Sequence, residues 1–240
     1  MKTSIVRILQ LIVGKPIRFL KSITALDAAP PRSLFETLHI HAIGRSAEFA
    51  TLFMKSAVMC ASRRDVWEYC IQKLASRDKN SQILEFGVFE GESINYLARR
   101  MKDATVYGFD SFLGLEEDWQ GYIPRKGHFD RKGQIPIVES NVILIKGWFE
   151  ETVPNFKKNF KQNVNLLHID CDTYKPTKYV LEQFSKQFTK GTIVIFDEFF
   201  GYPGWENHEY RAWTEYVNRH KRKFEYIAFS NLSVAVEILD

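Results

Sequence analysis

The sequence predicts an α/β fold: a doubly wound, Rossmann-like sheet of seven strands, mostly parallel with one antiparallel strand near the C-terminus, preceded by helices. Three observations predict it. From residue 81 onward, short apolar runs ending in glycine or an acid alternate with segments of helical spacing. The last two runs, 224–229 and 232–238, are joined by a turn too short for a parallel crossover, so that pair is antiparallel. The chain has 240 residues, enough for one such domain with a buried core and a short appendage.

Taken in order, residues 1–80 have helical spacing broken at Ala29-Pro30-Pro31, with no alternating strand pattern. Within them, residues 54–74 carry Val58, Val66, Tyr69, Cys70 and Leu74 at helical intervals. Residues 82–88 form an apolar run ending in glycine, as a buried strand does. Residues 92–101 return to helical spacing through Ile94, Leu97 and Ala98. Strands follow at 105–109, 142–145 and 164–169, ending at Asp110, Lys146-Gly147 and Asp170. A helix over 176–188 has proline in its first turn and Gly191 past its end. A fifth strand, 192–196, ends at Asp197-Glu198, and residues 208–220 form a helix before the final pair. Residues 113–141 make one long irregular stretch, and loops of that length in compact domains are usually functional. The chain thus divides into a helical segment, 1–80, and a ligand-binding domain, 81–240.

Composition narrows the class. Hydrophobic residues make up 45% and charged residues 26%, ordinary for a globular chain and too apolar for disorder. A net charge of +4 without a dense basic run gives no footprint for nucleic acid; Lys221-Arg222-Lys223 reads as a solvated helix end. Three cysteines without paired spacing argue against a disulfide framework or a zinc knuckle, and point to a reducing, cytoplasmic setting. Residues 5–13 are apolar but interrupted by Arg7 and Gln10, too short to span a membrane and poorly shaped for a signal peptide. They read as an amphipathic helix that packs on the domain, on a second subunit in a homo-oligomer, or on a membrane surface.

Ligands of open α/β sheets bind beyond the carboxyl ends of the strands, so the polar residues there are the ones to collect. The first turn reads Glu85-Phe86-Gly87-Val88-Phe89-Glu90-Gly91, with Ser93 just inside the next helix. It lacks the G-x-G-x-x-G dinucleotide pattern, and Glu90 and Glu92 would repel a pyrophosphate. A cationic ligand fits better, and S-adenosylmethionine, with a sulfonium and an amino group, is one; Gly87 and Gly91 allow close approach. Asp110, followed by Ser111, ends the next strand 19 residues after Gly91, where a carboxylate accepts both hydroxyls of a ribose. Gly147-Trp148-Phe149 offers aromatic cover for an adenine. Asp170, Asp197 and Glu198 end adjacent strands, a hard oxygen set suited to Mg²⁺, which lowers the pKa of a bound hydroxyl. Asp170 is thus a candidate for both cofactor and metal, and it also enters the catalytic set. For proton transfer the further candidates are Asp172, His128 in the long loop and His208 at a helix start. His168 reads as a core residue.

Together these residues resemble the macrocin O-methyltransferase family. The resemblance runs from about residue 83 to the C-terminus. It is carried by Glu85-Phe86-Gly87, Phe109-Asp110-Ser111-Phe112 with Gly114-Leu115, Lys146-Gly147-Trp148-Phe149, His168-Ile169-Asp170-Cys171-Asp172 with Tyr174 and Thr177, and Phe196-Asp197-Glu198. It implies a class I methyltransferase fold with S-adenosylmethionine as donor, Mg²⁺ held at Asp170, Asp197 and Glu198, and a hydroxyl-bearing sugar, small molecule or glycan as acceptor. Glu198 stands where the antibiotic-sugar enzymes of the family have an aspartate. Thr173 stands where catechol-type relatives have a lysine. In such enzymes a segment like 1–80 caps the acceptor pocket or makes an oligomer contact. Two other readings stay open. Asp170-Cys171-Asp172 is a D-x-D triplet such as metal-dependent glycosyltransferases use, and a methyltransferase fold can serve as a non-catalytic binding domain.

Overall fold

The computed structural model describes residues 33–77 and 81–240. The helix expected over residues 5–13 and the break at Ala29-Pro30-Pro31 lie outside the described residues. Helix α1, Leu34–Phe53, is followed by a two-residue strand β1, Val58–Met59, and helix α2, Arg63–Ala75. The alternating part then runs β2 (Gln82–Phe86), α3 (Glu92–Arg100), β3 (Thr105–Asp110), β4 (Val142–Lys146), α4 (Phe149–Asn159), β5 (Leu166–Ile169), α5 (Tyr174–Phe184), β6 (Ile193–Phe196), α6 (Glu209–His220), β7 (Phe224–Phe229) and β8 (Val234–Ile238).

One sheet holds eight strands in the order β1-β7-β8-β6-β5-β2-β3-β4. Strand β8 runs antiparallel to both β6 and β7, and the other pairs are parallel. The α/β class and the antiparallel pair are as expected, but the sheet has eight strands where seven were expected. The added strand is β1, which pairs parallel with Ala228 and Phe229. Two residues are too few to show alternation, so the helical spacing read through 54–74 hid it. The break has a local cause: the Ser62 hydroxyl accepts from the Asp65 N–H and the Asp65 carboxylate accepts from the Ser62 N–H, a capping box that starts α2 afresh. Residues His39–Asp240 form one compact unit, so the segment set apart as 1–80 contributes β1 and α2 to the sheet domain. Helix α4 was also not expected, because Pro154 sits inside it and breaks the helical pattern. It holds because Val153 is fully buried and the Phe156 ring stacks on Phe160 and meets Phe109 edge-on.

Side chains alternate across the pleat. Ile83, Val106, Leu166, Ile193 and Ile195 enter a core shared with α2 and α3. Leu84, Phe109, Leu167, Val194 and Phe196 enter a second core shared with α4, α5 and α6. The chain winds from β2 outward to β3 and β4, then returns to β5 on the other side of β2. This reversal opens a crevice at the carboxyl ends of β2 and β5. Among the described residues no helix is long and apolar enough to cross a membrane.

Candidate functional site

A cavity of about 480 Å³ occupies that crevice. Its floor comes from the turns after β2 (Gly87, Val88, Phe89), β3 (Asp110, Ser111), β5 (Asp170, Asp172) and β6 (Glu198). The long segment 113–141 closes one side with Leu115, Trp119 and Tyr122. Gly87 is required where it stands. Its φ is +91°, and a Cβ there would lie 1.7 Å from the Asp170 carbonyl oxygen.

The cofactor candidates divide. Gly87, Ser93, Asp110, Ser111, Trp148 and Asp170 line the cavity; Glu85, Gly91 and Gly147 do not. Asp110 organises its surroundings: Oδ2 accepts from the backbone N–H of Val88 at 2.7 Å and of Phe89 at 2.8 Å, and Oδ1 from Phe112 at 2.6 Å. A carboxylate has about four acceptor sites, so capacity remains for a hydroxyl. Gly91 is the left-handed N-cap of α3, and Gly147 turns the chain into α4. Glu85 is fully buried and accepts from Ser93 Oγ and from His168 Nδ1, each at 2.9 Å.

Carboxylate oxygens of Asp170, Asp172 and Glu198 lie within 4.8 Å of one another. Burial pushes the Asp172 carboxyl up to about 7, with the Asp197 charge adding to it. Burial and neighbouring acids raise Asp170 and Glu198 well above the carboxylate range as well. Behind them Glu209, 0% exposed, accepts from the Glu198 N–H at 3.0 Å. Glu198 Oε2 and Glu209 Oε1 are buried without a hydrogen-bond partner. Asp172 is held in the left-handed region, φ +64°, while the Thr173 N–H reaches back to the Cys171 carbonyl at 2.6 Å. That strained turn directs a nearly buried acid to the cavity. Orphaned oxygens, raised proton affinity and backbone strain together fit a hard divalent cation.

The converging set is not the one the sequence pointed to. Asp197 is 1% exposed and does not line the cavity. Its Oδ2 accepts from Arg63 Nη1 at 3.0 Å, and its Oδ1 accepts from Ser233 Oγ at 3.0 Å and lies 3.7 Å from His168 Nε2. The reason is the pleat. Asp197 follows Ile193 and Ile195 onto the α2 face, and Glu198 follows Phe196 onto the other, so consecutive acids cannot share a side. In register, Glu85 pairs with His168 and His168 with Ile195, and Asp197, two residues beyond Ile195 on the same face, brings its carboxylate within 3.7 Å of His168, so the three form one buried cluster. Burial opposes a charge on His168, but Asp197 and Glu85 outweigh it and hold its pKa well above the usual histidine value. Burial would raise Asp197; His168 and Arg63 overcome that and lower it. Glu85, with burial dominant, is raised.

The two histidines offered as bases stand away from the cavity wall. His128 is exposed and packs against the Phe129 ring. His208 is 4% exposed, donates from Nε2 to the Gln120 carbonyl at 2.7 Å, and is held below the usual histidine pKa by burial. It is an anchor for the long segment, as are Lys146 Nζ on the Gly133 carbonyl (2.6 Å) and Asn95 Nδ2 on the Ile137 carbonyl (3.0 Å). Sequence reasoning missed Arg63, Trp119, Tyr122 and Tyr202, all on the cavity wall. For Arg63 the Ser62-to-Asp65 capping pattern was a readable signal of a helix start. The aromatics had none, since an apolar residue in a loop reads as core.

The profile of a methyltransferase domain matches residues 84–199. No curated protein sequence matches the chain. Among solved structures it is similar to the O-methyltransferase NovP, 20% identical over 74% of this chain and 80% of that one, with a TM-score of 0.57. It is similar also to CalS11, a calicheamicin methyltransferase, 20% identical over 88% of this chain and 96% of that one, TM-score 0.58. The apo form of CalS11, described as a TDP-rhamnose 3'-O-methyltransferase, gives 21%, 88%, 98% and 0.53. The fold is therefore that of class I methyltransferases, and residues 84–199 match the profile of a methyltransferase domain.

Proposed function

We propose that the protein is an S-adenosylmethionine-dependent, cation-assisted O-methyltransferase acting on a hydroxyl of a sugar or other vicinal diol. One observation carries this reading: Asp170, Asp172 and Glu198 open onto the same cavity as the Gly87 turn and Asp110, inside a methyltransferase domain. The similarity to NovP and CalS11, both named as methyltransferases and CalS11 as a TDP-rhamnose 3'-O-methyltransferase, supports a sugar hydroxyl as the acceptor.

Gly87 lets the donor approach the backbone. Asp110 receives its ribose hydroxyls, and Trp148 covers its adenine. The acceptor oxygen attacks the methyl carbon in line with the carbon–sulfur bond; that bond breaks, and its electron pair stays on sulfur. Asp170 and Glu198 would hold Mg²⁺, which when bound lowers the pKa of the acceptor hydroxyl. We assign Asp172 as the proton acceptor, since its carboxylate opens onto the cavity beside Asp170 and Glu198. His128 and His208 fall out of this role by position.

Calorimetry with S-adenosylhomocysteine tests the cofactor half: saturable binding supports it, and none to the folded protein sinks it. The D-x-D reading keeps one supporting observation, that both Asp170 and Asp172 face the cavity. It predicts binding of a nucleoside diphosphate sugar with Mn²⁺ in place of S-adenosylhomocysteine.

A further inference from the structure

S-adenosylmethionine and its demethylated product carry a single anionic group, the carboxylate of the amino-acid end. The cavity wall is mostly hostile to an anion: Glu90, Glu92, Asp110, Asp170, Asp172 and Glu198 all line it. Among the described residues only one basic side chain reaches that wall, and it belongs to Arg63.

Arg63 also stands at the right end. Strands β4, β3, β2, β5 and β6 are successive neighbours in the sheet. With the adenine on Trp148, after β4, and the ribose on Asp110, at the end of β3, the rest of the ligand runs on toward β2 and β5. There the Arg63 guanidinium bridges the next two landmarks. Nη2 donates to Glu92, the first residue of the helix after β2, at 2.7 Å, and Nη1 donates to Asp197, just past β6, at 3.0 Å.

The group is held in place and still has capacity. The capping box of Ser62 and Asp65 fixes the start of α2, and Arg63 Cζ lies 5.2 Å from the ring centroid of the buried Trp67. A guanidinium has five N–H donors, and the two pairs use two of them. Glu92 is shared with Arg64, whose Nε and Nη2 reach its Oε1 at 3.1 and 2.5 Å, so two cations face this one exposed acid. A planar fork with N–H groups to spare suits a carboxylate. The Ser93 hydroxyl, also on the wall, already donates to Glu85 at 2.9 Å and so does not compete for the role.

We propose that Arg63 recognises the amino-acid carboxylate of the cofactor and sets the preference of the site for ligands that keep it. This rests on the methyltransferase reading. It adds a specificity-determining residue on α2, outside the stretch 84–199 that matches the methyltransferase profile.

Calorimetry on the full chain tests it by comparing S-adenosylhomocysteine with S-adenosyl-3-thiopropylamine, its decarboxylated form, which keeps the adenosine, the sulfur and the ammonium. The wild type should prefer S-adenosylhomocysteine by at least about tenfold. In Arg63→Gln that preference should shrink to within about threefold, while affinity for the decarboxylated form stays within about threefold of wild type. A displaced α2 or lost packing on Trp67 would weaken both ligands alike and leave the preference standing, so the ratio separates carboxylate recognition from a structural role. If Arg63→Gln does not fold, Arg63→Lys decides: it keeps the charge but loses the fork, and the preference should fall at least about threefold. Equal binding of the two ligands by the wild type overturns the proposal without any variant, as does an undiminished preference in the variant that folds. Failure of both ligands to bind the folded wild type would instead sink the methyltransferase reading.

Discussion

Asp110 and Val88 are joined across neighbouring strands: Oδ2 of Asp110 accepts from the Val88 backbone N–H at 2.7 Å, so the acid that ends β3 shapes the turn that ends β2. Two more backbone amides, of Phe89 and Phe112, share the same carboxylate. Asp110→Ala orphans three donors as well as removing the ribose acceptor. We expect affinity for S-adenosylhomocysteine to fall at least about tenfold and stability by ~2 kcal/mol. Calorimetry and urea melts check both; an unchanged dissociation constant would remove Asp110 from the cofactor site.

The neighbouring acids Asp197 and Glu198 should behave oppositely. Asp197→Asn breaks a buried pairing with Arg63 and His168 and should cost ~3 kcal/mol while leaving Mn²⁺ affinity within about threefold. Glu198→Gln removes a like charge and an unpartnered oxygen, so the metal-free protein should melt no lower than wild type and lose Mn²⁺ binding. Electron paramagnetic resonance of bound Mn²⁺ and thermal melts separate the two. Loss of the ion in Asp197→Asn at unchanged stability would restore Asp197 as a ligand.

Stability without metal should fall as pH rises from about 4 to 7. Asp172 keeps its proton up to about 7 in the folded chain but only to about 4 when unfolded. Between those values the folded state binds more protons than the unfolded one, so each step up in pH favours unfolding. Asp170 and Glu198, also raised, act in the same direction. In EDTA the urea midpoint at pH 7.5 should lie below that at pH 5, and Mg²⁺ should close the gap at pH 7.5. A midpoint that rises with pH in EDTA contradicts the geometry of the cluster.

Gly87→Ala meets the Asp170 carbonyl at 1.7 Å and sits at φ +91°. We expect a loss of about 3 kcal/mol or more, a fall in Tm of roughly 6–12 °C for a chain of this size. A melt within about 2 °C of wild type would mean that β2 and β5 do not approach as described.

With Asp172 as the proposed proton acceptor, His128 and His208 are not required for proton transfer. His128→Ala should leave kcat within about twofold, and the pH–rate profile should keep its shape in His208→Gln, which retains a donor for the Gln120 carbonyl. An acid limb lost in either variant would return that residue to the mechanism.

What could be read in the sequence was whatever repeats along a strand or ends one. Gly87, Asp110, Asp170 and Glu198 were found because apolar runs stop just before them. Direction was harder. Asp197 and Glu198 look equivalent as letters, yet the pleat sends one into a buried cluster with His168 and the other to the cavity. Asp172 gains its place from a left-handed turn that no spacing announces. Strand β1 is too short for alternation, and the Pro154 that masked α4 is outweighed by the packing of Val153 and Phe156. Such features are set by tertiary contact, to which a local pattern is blind.

Three anchors of the segment 113–141, His208, Lys146 and Asn95, grip its main-chain carbonyls at Gln120, Gly133 and Ile137. The hydrogen bonds of all three go to the main chain of the segment. Exposed positions of the segment such as Ile123, Ile135 and Ile137 can therefore change while its path is kept. Substitutions there vary the surface of this stretch on an unchanged scaffold.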